Sequence, residues 1–189
     1  MTDWRWVALT AAAIGCAAGP SRPAVDPTLE ALLAQGVRER TEGHDVAALA
    51  TFRQAHRRSA TPRVVAQLAL AEQANSRWLD AASHLEFSLR AADDPWVSRH
   101  RAVLDGALEE IARHLGRLFV AANVDGAELR VDGRVAATLP MRAPTRVEAG
   151  DAVIEVRAEG YEPFSRRLEV RAGAVTRASV RLRPAASAR

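Results

Sequence analysis

The chain has 189 residues, of which 48% are hydrophobic and only 5% aromatic, so one large or two small cores can be buried. Its formal net charge is +3, and all 26 of its Lys+Arg cations are arginine, spread along the chain among 23 acids. That dispersal argues against nucleic-acid binding, which concentrates basic residues on one face. The single cysteine, Cys16, argues against a disulfide framework or a cysteine-rich metal site.

The chain opens with Arg5, an apolar run from Trp6 and small residues up to Cys16. The run is about half of the roughly 20 residues that a helix needs to cross a bilayer, which fits a signal peptide better than a permanent span. Secretory cleavage at another small residue, or a buried N-terminal helix, would also account for it. Ala13-Ile14-Gly15-Cys16 resembles the bacterial lipobox, with Ala13 where that pattern prefers Leu. The resemblance implies a signal peptide over residues 1–15, cleavage after Gly15, a diacylglyceryl thioether on Cys16 and acylation (palmitate) of the new amino terminus. Several acyl chains anchor stably where one is marginal. Residues 16–25, rich in Ala, Gly, Ser and Pro, read as a tether between that anchor and a folded body.

Helix starts are then unusually legible. Asp26-Pro27, Thr61-Pro62 and Asp94-Pro95 each place an oxygen-bearing cap before a proline that needs no N–H partner at the first helical position. Second starts are expected at Asp45, after Gly43, and at Ser76, after Asn75, with Gly43 and Asn75 as left-handed terminators. Two helix pairs and a fifth helix follow. The fifth carries Val97, Leu104, Leu108, Ile111 and Leu115 at helical spacing, a stripe suited to capping the second pair. Glu110 and His114, four apart, are expected to pair on the surface.

At an offset of 33, Leu32 aligns with Val65, Gly36 with Ala69, Ala48 with Ala81, Phe52 with Leu85, Ala55 with Ser88 and Pro62 with Pro95. This small–large–small pattern resembles the tetratricopeptide repeat, a helix pair of about 34 residues. Glu39 and Glu72 stand where that family places an aromatic residue. The resemblance implies a concave groove for peptides, to which Arg40, Arg63 and Gln73 would be offered; a structural spacer is the other reading of so short an array.

From Leu118 the pattern changes to short strands between Gly, Asp and Pro. Glu128–Val131 alternates, Asp132-Gly133 makes a hairpin turn, Pro140 and Pro144 bracket an edge segment, and further strands are expected around 153–156, 168–170 and 178–182. About seven strands fit a small sandwich. Val124-Asp125-Gly126-Ala127, Val131-Asp132-Gly133, Ala149-Gly150, Gly160-Tyr161 and Ala172-Gly173 resemble the turns of the PEGA domain, in order and spacing. That resemblance implies an extracytoplasmic accessory module without catalytic residues.

The expected architecture is α then β: a helical-hairpin repeat array of about five helices (26–115), an all-β sandwich of about seven strands (116–184) and a short disordered tail (185–189). His44, His56, His84, His100 and His114 form no ligand pattern, and no phosphate loop or nucleophile motif is present. The expected function is that of a non-catalytic envelope lipoprotein, with no metal and no cofactor beyond the lipid on Cys16. It would be membrane-anchored and hold another envelope protein; the alternative is binding of peptidoglycan or another envelope polymer.

Overall fold

The computed structural model describes residues 26–185. The expected signal peptide, Cys16 with its lipid, the tether and residues 186–189 of the expected tail lie outside the described residues.

Five helices come first: α1 (Pro27–Thr41), α2 (Asp45–Arg58), α3 (Pro62–Ala74), α4 (Trp78–Arg90) and α5 (Pro95–Ala112). The three proline-led starts form as their chemistry dictates. Asp26 Oδ1 accepts from Thr28 N, Thr61 Oγ1 from Val64 N, and Asp94 Oδ1 from Trp96 and Val97 N. Of the two inner starts, the one expected at Asp45 is found there and the one expected at Ser76 is not. His44 and Arg77 precede α2 and α4 without a side-chain cap, so Asp45 is the first helical residue and α4 begins two residues after Ser76. Asn75 is not the left-handed terminator either; Ser76 is, at φ 55°. Asn75 Nδ2 instead donates to Ala71 O and to Asp45 O, closing α3 with its side chain and tying it to the start of α2.

Successive helices pack as hairpins, and the 33-residue offset is visible in burial. Gly36 and Ala69, Ala48 and Ala81, Phe52 and Leu85, and Ala55 and Ser88 are all buried. α3 is the central helix, with eight of its residues buried against its neighbours. Two apolar clusters result, one around Phe52 and Leu68, the other around Leu85, Leu104 and Ile111. Leu115, expected at the end of the fifth helix, is the first residue of a strand. It nevertheless stays in the second helical cluster, because the chain turns sharply after Ala112 while still lying against the helices.

Seven strands follow: β1 (Leu115–Ala122), β2 (Glu128–Val131), β3 (Arg134–Thr138), β4 (Thr145–Glu148), β5 (Gly150–Arg157), β6 (Phe164–Val170) and β7 (Val175–Val180). They form two sheets, ordered β4-β1-β7 and β3-β2-β5-β6, with β1 and β7 parallel and every other pair antiparallel. Asp132 and Gly133, at φ 49° and 78°, make the two-residue turn between β2 and β3; both positions need the left-handed region that Asp tolerates and Gly occupies freely. Pro140 and Pro144 fall in the connection between β3 and β4, the two edge strands on one side of the sandwich. Leu118, Val120, Leu129, Ile154 and Val156 fill the space between the sheets. Asn123 clamps the chain beyond β7: its Oδ1 accepts from Leu182 N and its Nδ2 donates to Leu182 O.

Candidate binding face of the helical array

Positions that align along the repeat also meet in space. Arg63 on α3 holds Glu30 on α1 in a forked ion pair, its Nη1 at 3.0 and 3.1 Å from the two carboxylate oxygens. Glu30 and Arg63 are 33 residues apart, so equivalent points of α1 and α3 are neighbours on one face of the array. Two turns further along each helix stand Val37 and Leu70, and the same position of α5 is Val103. Val37 is 37% exposed, Leu70 half-buried and Val103 66% exposed. α1, α3 and α5 thus carry an apolar residue at one repeated position, exposed on α1 and α5 and half-buried on α3, where Leu70 packs against the second helical cluster.

The candidates from the repeat pattern are distributed around this stripe. Arg63 and Gln73 lie seven residues before and three after Leu70, on the same side of α3; Gln73 is half-buried. Arg63 is committed to Glu30 and does not project as a lone cation. Arg40 lies three residues after Val37, but its guanidinium sits 6.0 Å from the Phe52 ring and its buried Nη1 has no hydrogen-bond partner among the described residues. Burial holds Arg40 below its ordinary pKa, opposed by the nearby charge of Asp45. The structure therefore places Arg63 and Gln73 at opposite ends of α3, on either side of Leu70, and folds Arg40 into the first hairpin. Cys16 lies outside the described residues.

Val37, Leu70 and Val103 are not among the residues that the repeat pattern offers to a groove. Their signal is the 33-residue offset itself, extended to positions that are apolar without being core.

The polar interior of the array repeats as well. Thr51 Oγ1 donates to Glu39 at 2.7 Å, and His84 Nδ1 meets Glu72 at 2.6 Å, each pair displaced by the same offset from the other. The expected Glu110–His114 pair is present at 3.7 Å, but the His114 ring is also stacked on Trp78 with centroids 3.7 Å apart. Among the described residues no three His, Cys, Asp or Glu side chains are grouped to hold a metal ion, and no helix is long and apolar enough to cross a membrane.

Comparison with known families bears on the strands. A PEGA domain is detected at residues 115–186. The match begins at the first residue of β1 and takes in both sheets. No curated protein matches the chain. The PEGA domain follows directly on α5, and its outer face touches the helices: Arg146 on β4 pairs with Glu86 on α4 at 2.8 Å.

Proposed function

We propose that this protein is a lipid-anchored scaffold of the bacterial cell envelope that holds another envelope protein on the outer face of α1, α3 and α5. The PEGA domain supports an extracellular or envelope location. The lipobox-like Ala13-Ile14-Gly15-Cys16 supplies the anchor in this reading, and the helix pairs act as tetratricopeptide-like hairpins. The observation that carries the partner-binding role is the recurrence of Val37, Leu70 and Val103 at one repeated position, exposed at Val37 and Val103 and half-buried at Leu70. A single exposed apolar residue needs no explanation, but recurrence at the same position of α1, α3 and α5 marks out an apolar strip that is half-covered at Leu70.

A photo-crosslinker placed at Val103 in the native cell tests this directly. Val46, 76% exposed on α2, is the control on a different element. Crosslinks to one envelope protein from position 103 and not from 46 are expected; indiscriminate or absent crosslinks would sink the scaffold reading. Replacing Cys16 with Ala should release the protein from membranes, and unchanged fractionation would remove the anchor. Sedimentation with purified cell wall would favour the polymer-binding alternative instead.

A further inference from the structure

Arg117 and Arg146 stand directly opposite one another on β1 and β4. Alternation places both on the outer face of their sheet, since Leu118 and Val147 beside them point into the core. Like charges directly opposite in an antiparallel pair are destabilising. One carboxylate, that of Glu86 on α4, relieves Arg146 at 2.8 Å. Among the described residues Arg117 has no acidic partner. Both arginines line a cleft of about 270 Å³ between the last two helices and the PEGA domain, walled also by Ala82 of α4, Leu108 of α5 and Leu115 at the start of β1.

The cleft therefore combines two guanidinium groups, a single neutralising carboxylate and a small apolar wall. Glu86 already shows which anion suits it: a carboxylate seated on Arg146. The planar fork of arginine matches carboxylate geometry, and an aliphatic group attached to that carboxylate would lie against Leu108 and Leu115. We propose that this junction cleft binds a carboxylate-bearing ligand with a small aliphatic substituent, such as the C-terminal end of a peptide, with Arg117 as its principal cation. The cleft belongs to the β1–β4 face and is independent of the apolar strip on α1, α3 and α5.

The test is titration of the full-length chain with N-acetyl-alanyl-alanine, its C-terminal amide and inorganic phosphate, followed by NMR or calorimetry. Saturable binding of the acid is expected in the millimolar range or tighter, weaker by about tenfold or more for the amide, and falling with added salt. Arg117→Gln should abolish it, and Arg117→Lys should weaken it by losing the fork. Equal binding of acid and amide, stronger binding of phosphate, no saturable binding, or binding retained in Arg117→Gln would each overturn the proposal. A second readout needs no ligand. Arg117→Gln should raise the melting temperature, because the like-charge pairing across from Arg146 disappears; a lowered one would mark Arg117 as structural and overturn its role as a ligand cation.

Discussion

A side chain at Gly36 would place its Cβ 2.7 Å from the edge of the Phe52 ring. Phe52 is fully buried, so the ring has nowhere to retreat. One repeat further on, the equivalent positions are Ala69 and Leu85, both buried in one apolar cluster. The two hairpins divide equivalent space in the same sense but in different proportions, glycine with phenylalanine in the first and alanine with leucine in the second.

Gly36→Ala should therefore destabilise the protein by about 1–2 kcal/mol, overpacking outweighing the roughly 1 kcal/mol that alanine gains over glycine in a helix. Phe52→Leu alone should cost about 1 kcal/mol by leaving a gap. The double variant copies the second hairpin and should recover most of the Gly36→Ala loss, giving a coupling energy of about 1 kcal/mol or more in a denaturation cycle. Strict additivity would mean that the two residues do not share the space.

Much of the helical layer was legible because its signals are local. A cap and a proline occupy adjacent positions, and Asp26, Thr61 and Asp94 act within three residues of themselves. The Asp132-Gly133 turn is local in the same way. What could not be read is long-range. Nothing in residues 115–122 announces that they run parallel to 175–180. Leu115 continued an apolar helical spacing and so read as helix, although backbone geometry had already changed at Ala112. The candidate strip was hidden for another reason. Val37, Leu70 and Val103 look like core residues by type, and only the exposure of Val37 and Val103 and the half-burial of Leu70 separate them from Leu33 and Leu104.

Asp94 gives the simplest local test. Its carboxylate accepts from Trp96 N at 2.9 Å and Val97 N at 3.0 Å, satisfying two of the free donors at the start of α5. Asp94→Ala should cost about 1 kcal/mol, and Asp94→Ser considerably less, by thermal or urea denaturation. Equal losses would show that the cap hydrogen bonds do not hold this helix end.

Glu39 and Glu72 occupy equivalent positions yet titrate in opposite directions. Hydrogen bonds from Thr51 and then Gln35 hold Glu39 below its ordinary value. Burial pushes Glu72 above its ordinary 4.5, with the His84 hydrogen bond working against that rise. A carboxyl whose pKa is raised by folding binds its proton more readily in the native state. Its ionisation therefore penalises the fold as pH climbs above 4.5 and through the raised value, and the penalty is fully present beyond it. Glu72→Gln keeps an acceptor for His84 Nδ1–H without a buried charge. It should be at least as stable as the parent at neutral pH and lose that part of the pH slope. Glu72→Ala, which strands His84 and opens space, should cost about 2 kcal/mol. A Glu72→Gln variant with an unchanged pH profile would show that Glu72 does not titrate in this window.

Leu115 joins the two parts of the molecule. It is the first residue of β1, where it pairs with Glu148, yet its side chain is 6% exposed within the apolar cluster of α4 and α5. Val120, five residues later on the same strand, is buried wholly between the two sheets. Truncation at either site should cost about 2–4 kcal/mol, as for other buried aliphatic residues. The location of the loss should differ. Leu115→Ala should speed amide exchange in α4 and α5 as well as in β1, whereas Val120→Ala should act on the sandwich and leave the helices protected. The Glu86–Arg146 bridge, with both partners more than a third exposed, should add at most about 1 kcal/mol to this junction, so Glu86→Ala should change exchange in α4 far less than Leu115→Ala does. If Glu86→Ala loosened α4 more than Leu115→Ala, the junction would be held by charge and not by the buried leucine.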